Sequence, residues 1–140
     1  MTMTDEETLI VVKPDGVKRG LVGEILGRFE AKGFKVKKLQ MLTMTMAQAK
    51  DFYSVHKDKP FFEELVEFIT SGPVVGAVLS GTDAVAAARR MVGATKSWEA
   101  AAGTIRGDLG MGLTDNAIHA SDSAESFTKE RAALFVTSSG

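Results

Sequence analysis

The segment "DNAIHASDS", residues 115–123, contains His119, one of only two histidines in the chain. A neutral imidazole offers a nitrogen lone pair near pH 7 and is therefore a candidate nucleophile. If the segment is a strand, Ala117, His119 and Ser121 share one face, because alternate residues of a strand point the same way. These neighbours are small, so we expect open space in front of the ring. A buried structural histidine explains this local pattern equally well.

Glu130 is a second candidate, because it lies on the apolar face of a predicted last helix. Phe127, Glu130 and Leu134 occur at positions i, i+3 and i+7, which places them on one face. A carboxylate on such a face needs a partner, and it could orient the imidazole and fix its tautomer. The alternative is a glutamate at the edge of that face whose carboxylate reaches water.

Three basic residues lie at the ends of predicted elements and could bind an anion. Arg89 falls on the apolar face of a predicted helix, whereas Arg90 falls about 100° away from it. Arg106 lies between glycines in "GTIRGD", and Lys13 ends a predicted buried strand just before "PDG". Each of them also has an ordinary surface interpretation. Together with His119, they predict one cleft that binds an anion.

The sequence excludes several other chemistries. It contains no G-x-x-x-x-G-K-[ST] P-loop, no strand-linked G-x-G-x-x-G, no G-x-S-x-G and no His/Cys/Asp cluster with metal-ligand spacing. The absence of cysteine excludes disulfides and thiol catalysis. A net charge of -1 argues against nucleic acid or a membrane surface as a partner. The N-terminal "MTMTDEE" is unlike a secretory signal, so we expect a soluble cytoplasmic protein.

Hydrophobic periodicity predicts the elements that must position these residues. Strands are predicted at "TLIVVKP", "FKVKKLQML", "VVGAVLS" and "AIHAS", the second of them half-exposed. Helices are predicted over residues 21–33, 46–56, 61–70, 82–93 and about 123–133. Gly33 ends the first helix, Thr82 caps the fourth, and Asp122 with Glu125 forms a capping box at the last. Residues 94–115 show no period and are predicted to be a long loop.

The order of these elements predicts one α+β domain over residues 1–140, with a core from about residue 8 to 135 and short flexible termini. The pattern indicates helices that cover one face of a small, mainly antiparallel sheet.

Five segments together resemble the nucleoside diphosphate kinase family. They are "VVKPDGVKRGLVGEIL", "YSVHKDKPFF", "SGPVV", "GTIRGD" and "NAIHASDS", in the order and at the spacing of that family. The resemblance runs from about Thr8 to Phe135. It implies a ferredoxin-like sandwich with a four-stranded antiparallel sheet covered by helices. It also implies transfer of the γ-phosphate of a nucleoside triphosphate to a nucleoside diphosphate, by a ping-pong mechanism through a phosphohistidine on His119.

The resemblance further implies the roles of the other site residues. Ser121 and Glu130 match groups that position the imidazole, and Tyr53 would lie against the catalytic site. Lys13 and Asn116 match groups that bond the sugar hydroxyls. The remaining matches are His56, Arg89, Thr95 and Arg106 for the phosphates, and Phe61, Leu113 and Leu65 for the base.

Cofactor, selectivity and assembly follow from the same resemblance. Mg²⁺ would arrive with the nucleotide phosphates and not in a protein cage. A base held by stacking implies low base selectivity. A homo-oligomer is implied, a hexamer first and a tetramer or dimer next. Lys96, Ser97 and Ala102 depart from the residues of many members in a loop that contributes to subunit contacts. The alternative is a nucleotide-binding domain of the same fold without turnover.

Overall fold

The computed structural model describes residues 5–112 and 115–135, in which four strands form one antiparallel sheet. The strands are β1 (Glu6–Val12), β2 (Lys35–Leu42), β3 (Val74–Gly81) and β4 (Ile118–Ala120), and they lie in the order β2-β3-β1-β4. β1 pairs with β3 and β4, and β2 pairs with β3, each time antiparallel. This arrangement confirms the ferredoxin-like α+β sheet that the resemblance implies.

Helices connect the strands and follow the last one. They are α1 (Pro14–Lys18), α2 (Val22–Lys32), α3 (Met46–Phe52), α4 (Phe62–Ile69), α5 (Ala84–Val92), α6 (Ile105–Leu109) and α7 (Ala124–Leu134). Gly33 ends α2 with φ of 118°, as predicted. The predicted helix 46–56 ends earlier, at Phe52, and is followed by a separate 3₁₀ turn at Ser54–His56. Among the described residues, no helix is long and apolar enough to cross a membrane.

Both faces of the sheet are covered, so the prediction of helices on one face is wrong. Ile10 and Val12 pack on one side in a cluster that includes residues of α2 and α5. Leu9 and Val11 pack on the other side with residues of α3, α4 and α7. The central strands read as continuous apolar runs because they are buried on both faces.

Residues 94–115 are not one long loop, which corrects a second prediction. They contain a 3₁₀ turn at Ser97–Glu99 and the helix α6. Helix α6 has five residues, too few to show a helical period in the sequence. It is fixed locally, because the Thr104 hydroxyl accepts a hydrogen bond from Gly107 N at 3.0 Å.

Two predicted helix caps are also wrong. The N-cap of α5 is Asp83 and not Thr82, and its side chain makes no capping bond. Instead, Val85 N donates to the Glu6 carboxylate at 2.9 Å, a contact between β1 and α5. At α7 the cap is Ser123, whose hydroxyl accepts from Ser126 N, so the predicted capping box of Asp122 and Glu125 is absent.

Candidate active site

A cleft of about 420 Å³ lies beside the end of β1 and the edge strand β4, and residues of α4, α5, α6 and α7 also line it. It brings together most of the residues that the sequence predicts for the site. These are Lys13, Tyr53, His56, Phe61, Leu65, Arg89, Thr95, Arg106, Asn116, His119 and Glu130. Ser121 lies behind the cleft wall and contacts Glu130. Leu113, predicted to contact a base, lies outside the described residues.

His119 projects from the short edge strand β4, where it pairs with Val11 of β1. Its Nε2 lies 2.8 Å from Glu130 Oε1. An ionised carboxylate only accepts hydrogen bonds, so Nε2 carries the proton of the neutral ring and the lone pair resides on Nδ1. The geometry therefore supports a ring whose tautomer is fixed by Glu130, as the sequence suggested.

The prediction that Ala117 shares a face with His119 is wrong, and the small neighbours predicted from the sequence are not the only side chains around the ring. Ala117 has φ of 72° and lies before the strand, in the core cluster on the opposite face from His119. On the side of His119, the ring of Phe52 packs edge-on with centroids 5.0 Å apart, and Tyr53 lies at 6.4 Å. The imidazole is thus held by two aromatic rings, while its side chain remains 19% exposed to the cleft.

The carboxylate of Glu130 is a shared acceptor at the base of the cleft. Ser121 Oγ donates to the same Oε1 atom at 2.7 Å, and Ser121 is fully buried. Tyr53 is also buried, and burial together with the nearby Glu130 charge raises the pKa of its phenol above the usual value, against the effect of Arg106. Tyr53 is therefore a neutral hydroxyl beside the histidine.

Two arginines bind the main chain on either side of His119. Arg106 Nη2 donates to Ile118 O at 2.7 Å, and Arg89 Nη1 donates to Ala120 O at 3.1 Å. Burial and the charge of Arg89 lower the pKa of Arg106 to about 10. Among the described residues neither guanidinium forms an ion pair. Their positive charge remains available to an anion in the cleft.

Lys13 and Asn116 form a buried polar pair on the opposite wall. Lys13 Nζ donates to Asn116 Oδ1 at 2.9 Å, and Asn116 Nδ2 donates to Thr95 O at 2.9 Å. Burial and the charge of Arg106 lower the pKa of Lys13 to about 8, although Asp15 opposes this change. The lysine is a cation at neutral pH whose proton is readily lost in mildly basic solution.

The mouth of the cleft is apolar and aromatic. The Phe61 ring is 43% exposed, and its centroid lies 5.6 Å from that of His56. Leu65 follows on the next turn of α4. The Nδ1 atom of His56 is buried without a hydrogen-bond partner among the described residues. The exposed ring of Phe61 therefore provides one surface on which a flat aromatic group can stack.

Sequence reasoning missed several residues of the cleft. Asp122 and Ser126 line it, and Ser126 Oγ donates to Asp122 Oδ1 at 2.6 Å. That hydrogen bond and the charge of Arg89 lower the pKa of Asp122 despite partial burial. The spacing of four residues at the start of α7 was a usable signal. Val55 and Glu64 also line the cleft, and nothing in their sequence context indicates it.

Metal-binding potential is limited within the described ranges, where no group of three or more His, Asp or Glu side chains could hold an ion.

Comparison with known proteins gives one consistent family. The family model described as "Nucleoside diphosphate kinase" matches residues 6–139. The nucleoside diphosphate kinase of Staphylothermus marinus is 52% identical over 133 residues, 95% of this chain and 94% of the relative. That of a Synechococcus species is 58% identical over 120 residues, 86% of this chain and 80% of the relative.

Solved structures agree with the sequence comparisons. The Aquifex aeolicus nucleoside diphosphate kinase superposes with a TM-score of 0.91 at 47% identity, covering 94% of this chain and 96% of that one. The Halobacterium salinarum nucleoside diphosphate kinase in complex with CDP gives 0.91 at 46% identity, with coverages of 96% and 90%.

Proposed function

This chain belongs to the nucleoside diphosphate kinase family, and we propose that it transfers phosphate between nucleotides through a phosphohistidine on His119. In the first step the Nδ1 lone pair of His119 attacks the γ-phosphorus of a nucleoside triphosphate. The bond from that phosphorus to the β-phosphate oxygen breaks, and the nucleoside diphosphate leaves with the bonding electrons. In the second step a β-phosphate oxygen of another diphosphate attacks the phosphorus of the phosphohistidine, the bond from that phosphorus to Nδ1 breaks, and its electron pair returns to the imidazole.

The contact between His119 Nε2 and Glu130 Oε1 at 2.8 Å carries this proposal. It commits the ring proton to Nε2 and leaves Nδ1 as the nucleophilic atom. The Glu130 carboxylate also stabilises the positive charge that the imidazole acquires when Nδ1 bonds to phosphorus. Ser121, which donates to the same oxygen, positions the carboxylate.

The cations of the cleft neutralise the phosphates as charge moves between them. Arg89 and Arg106 flank His119, and neither forms an ion pair among the described residues, although the charge of Arg89 acts on the nearby Asp122 carboxylate. His56 and Thr95 add donors nearer the mouth, and Tyr53 contributes a neutral hydroxyl beside the ring. Catalysis of phosphoryl transfer consists mostly of such positioning and charge stabilisation.

The nucleoside is bound by the remaining residues of the cleft. Lys13 and Asn116 donate to the sugar hydroxyls, and the base stacks on Phe61 with Leu65 at the entrance. Leu113, outside the described residues, would form the second wall of the base site. Because stacking accepts every base, we expect low base selectivity.

Mg²⁺ enters with the nucleotide as part of the substrate, coordinated mainly by phosphate oxygens. It supplies additional charge neutralisation on the phosphates. The chain's own contribution is the arrangement of the arginines and His119 around the phosphate chain.

Labelling tests the mechanism directly. Incubation with γ-³²P-ATP and Mg²⁺ should give protein-bound label that is stable to base and labile to acid, as expected for a phosphohistidine. Addition of unlabelled diphosphates of different bases should remove the label at similar rates. His56→Ala serves as the control because it removes the other histidine of the chain and leaves His119 intact. Label that persists in His119→Ala would overturn the mechanism, and calorimetric nucleotide binding without any label would indicate a binding domain without turnover.

We expect the chain to act as a cytoplasmic homo-oligomer, a hexamer before a tetramer or dimer. The edge strand β2 exposes Leu39 at 53% and Met41 at 59%, a surface that association would bury. Sedimentation velocity measures the assembly, and a monomer at micromolar concentration would contradict this expectation.

A further inference from the structure

The chain makes a strained turn directly before the strand that carries His119. Ala117 has φ of 72°, and Ile118 N donates to Asn116 O at 2.9 Å. A hydrogen bond between residues two apart around a positive φ defines the rare form of the γ-turn. Alanine has no intrinsic preference for this conformation, so surrounding contacts must maintain it.

The segment after β1 supplies those contacts. Lys13 N donates to Ala117 O at 2.9 Å, and Ala117 N donates to Asp15 Oδ2 at 3.0 Å. Both main-chain polar groups of Ala117 are thus bound by residues about a hundred positions away in the sequence. Gly16 permits this approach, because a Cβ atom there would lie 2.9 Å from Ala117 O and 2.8 Å from Val12 Cγ1.

Asp15 holds this position at a cost in hydration. The Oδ1 atom is buried and has no hydrogen-bond partner among the described residues. Burial raises the pKa of the carboxyl, although the bond from Ala117 N and the charge of Lys13 oppose the change. Asp15 is half-buried, and the hydrogen bond from Ala117 N offsets part of the cost of removing one carboxylate oxygen from water.

The turn joins two functional groups of the cleft. Asn116 directly precedes Ala117 and accepts a hydrogen bond from Lys13 Nζ. His119 lies two residues after Ala117, in β4. We propose that Asp15 is a positioning residue that holds the Ala117 γ-turn and thereby sets the positions of Asn116 and His119. The inference rests on the proposed function for its kinetic consequence, but the geometry it describes can be measured without turnover.

Three variants separate this role from general stability. Asp15→Ala removes the acceptor, whereas Asp15→Asn keeps an oxygen that can accept from Ala117 N. Glu6→Ala is the matched control, because its carboxylate also accepts a backbone N–H at 2.9 Å but at the opposite end of β1. We expect the single-turnover rate of His119 phosphorylation to fall about tenfold or more in Asp15→Ala. Asp15→Asn and Glu6→Ala should stay close to the wild-type rate.

A second substitution tests whether Asp15 acts by holding the strained backbone conformation of Ala117. Glycine adopts positive φ freely, so Ala117→Gly should recover part of the rate lost in Asp15→Ala. The same substitution should have little effect when Asp15 is present.

Measurements without turnover separate this inference from the proposed function. Hydrogen exchange of the Ala117 amide should be slow in the wild type and Asp15→Asn and fast in Asp15→Ala. The ¹⁵N spectrum of His119 should show a single Nε2–H tautomer in the first two and a mixture in the third. Equal amide exchange in all three proteins would overturn the inference, as would an Asp15→Asn variant as slow as Asp15→Ala. A wild-type chain that shows the expected exchange but no phosphorylation would reject only the proposed function.

Discussion

The floor and the mouth of the cleft differ in the burial and hydrogen bonding of their side chains. The floor, made of buried polar side chains, consists of Lys13, Arg106, Asn116, His119, Ser121 and Glu130. Apart from His119, each of these residues is exposed by 9% or less. The mouth, made of partly or fully exposed side chains, consists of His56, Phe61, Leu65 and Thr95. Phe61 is 43% exposed, and these side chains make few of the directed hydrogen bonds that connect the floor.

The difference indicates where the positions of the side chains must be tightly fixed. On the floor, a single carboxylate oxygen contacts both His119 and Ser121, and Arg106 binds the main chain beside the histidine. Buried hydrogen-bond networks hold geometry tightly, because an unpaired member carries a large desolvation penalty. The mouth offers surface contact without a directed hydrogen-bond pattern, which suits bases of any kind. We therefore expect substitutions of His119 and of the Glu130 carboxylate that fixes it to affect the chemical step, and mouth substitutions to affect binding.

The two histidines give the sharpest test of this comparison. His119→Ala should lower kcat/KM by at least about 10⁴-fold, because it removes the nucleophile. His56→Ala should keep the chemical step and raise KM by about tenfold or less, the value of one ordinary hydrogen bond. Steady-state kinetics with matched circular dichroism spectra would measure both. Equal losses in the two variants would mean that the floor and the mouth do not differ as described.

The second test concerns the carboxylate below His119. Glu130→Gln keeps the size of the side chain but removes the charge that favours the Nε2–H tautomer. The rate of His119 phosphorylation should fall by about tenfold to a hundredfold, since hydrogen bonds to charged groups contribute about 1.5–3 kcal/mol. Glu125→Gln, on the exposed side of the same helix, is the matched control. Rapid-quench measurements should show the loss in the first variant only.

The third test concerns the mouth. Phe61→Ala should raise KM about tenfold with little change in kcat, because base stacking on an aromatic ring contributes about 1–3 kcal/mol. The increase should be similar for ADP, GDP, CDP and UDP. A variant that discriminated strongly among these bases would show that the mouth forms specific hydrogen bonds with base edges and does not bind by stacking alone.

The fourth and smallest effect is the pH dependence of binding. The pKa of Lys13 is lowered to about 8, so the lysine is protonated below that pH and loses its proton above it. Bound nucleotide stabilises the cation and raises the pKa, so binding takes up a proton near pH 8 and the Kd increases about fourfold between pH 7 and 8.5. Calorimetry in buffers of different ionisation enthalpy measures this uptake. Its absence would place Lys13 outside the nucleotide contact.

Much of the fold could be predicted because its signals are local. The central strands are continuous apolar runs, and Gly33 ends α2 where its φ of 118° requires glycine. Two of the errors have a common cause. Thr82 is not the cap of α5, and the first turn of that helix is instead bound by Glu6, which belongs to β1. Ala117 leaves the predicted face because Asp15 binds its amide across 102 positions. Contacts between distant segments leave no trace in local periodicity.

For the candidate site, residue chemistry indicated His119, Glu130, Arg89, Arg106 and Lys13, and the structure gathers all five around one cleft. Other site residues were indicated only by the family resemblance, since their local context carries no functional signal. They include Tyr53, Thr95 and Leu113. The structure brings the first two to the cleft.

The sequence alone determined which chemical groups are present and which surfaces must be buried, because side-chain type and the helical and strand periods are properties of neighbouring residues. Only the tertiary structure decided that Nε2 of His119 faces Glu130 and that two arginine side chains bind β4 on either side of it. A hydrogen bond depends on distances of a few tenths of an ångström between atoms of separate elements. Those distances are set by how the elements pack, which no local pattern of residues specifies.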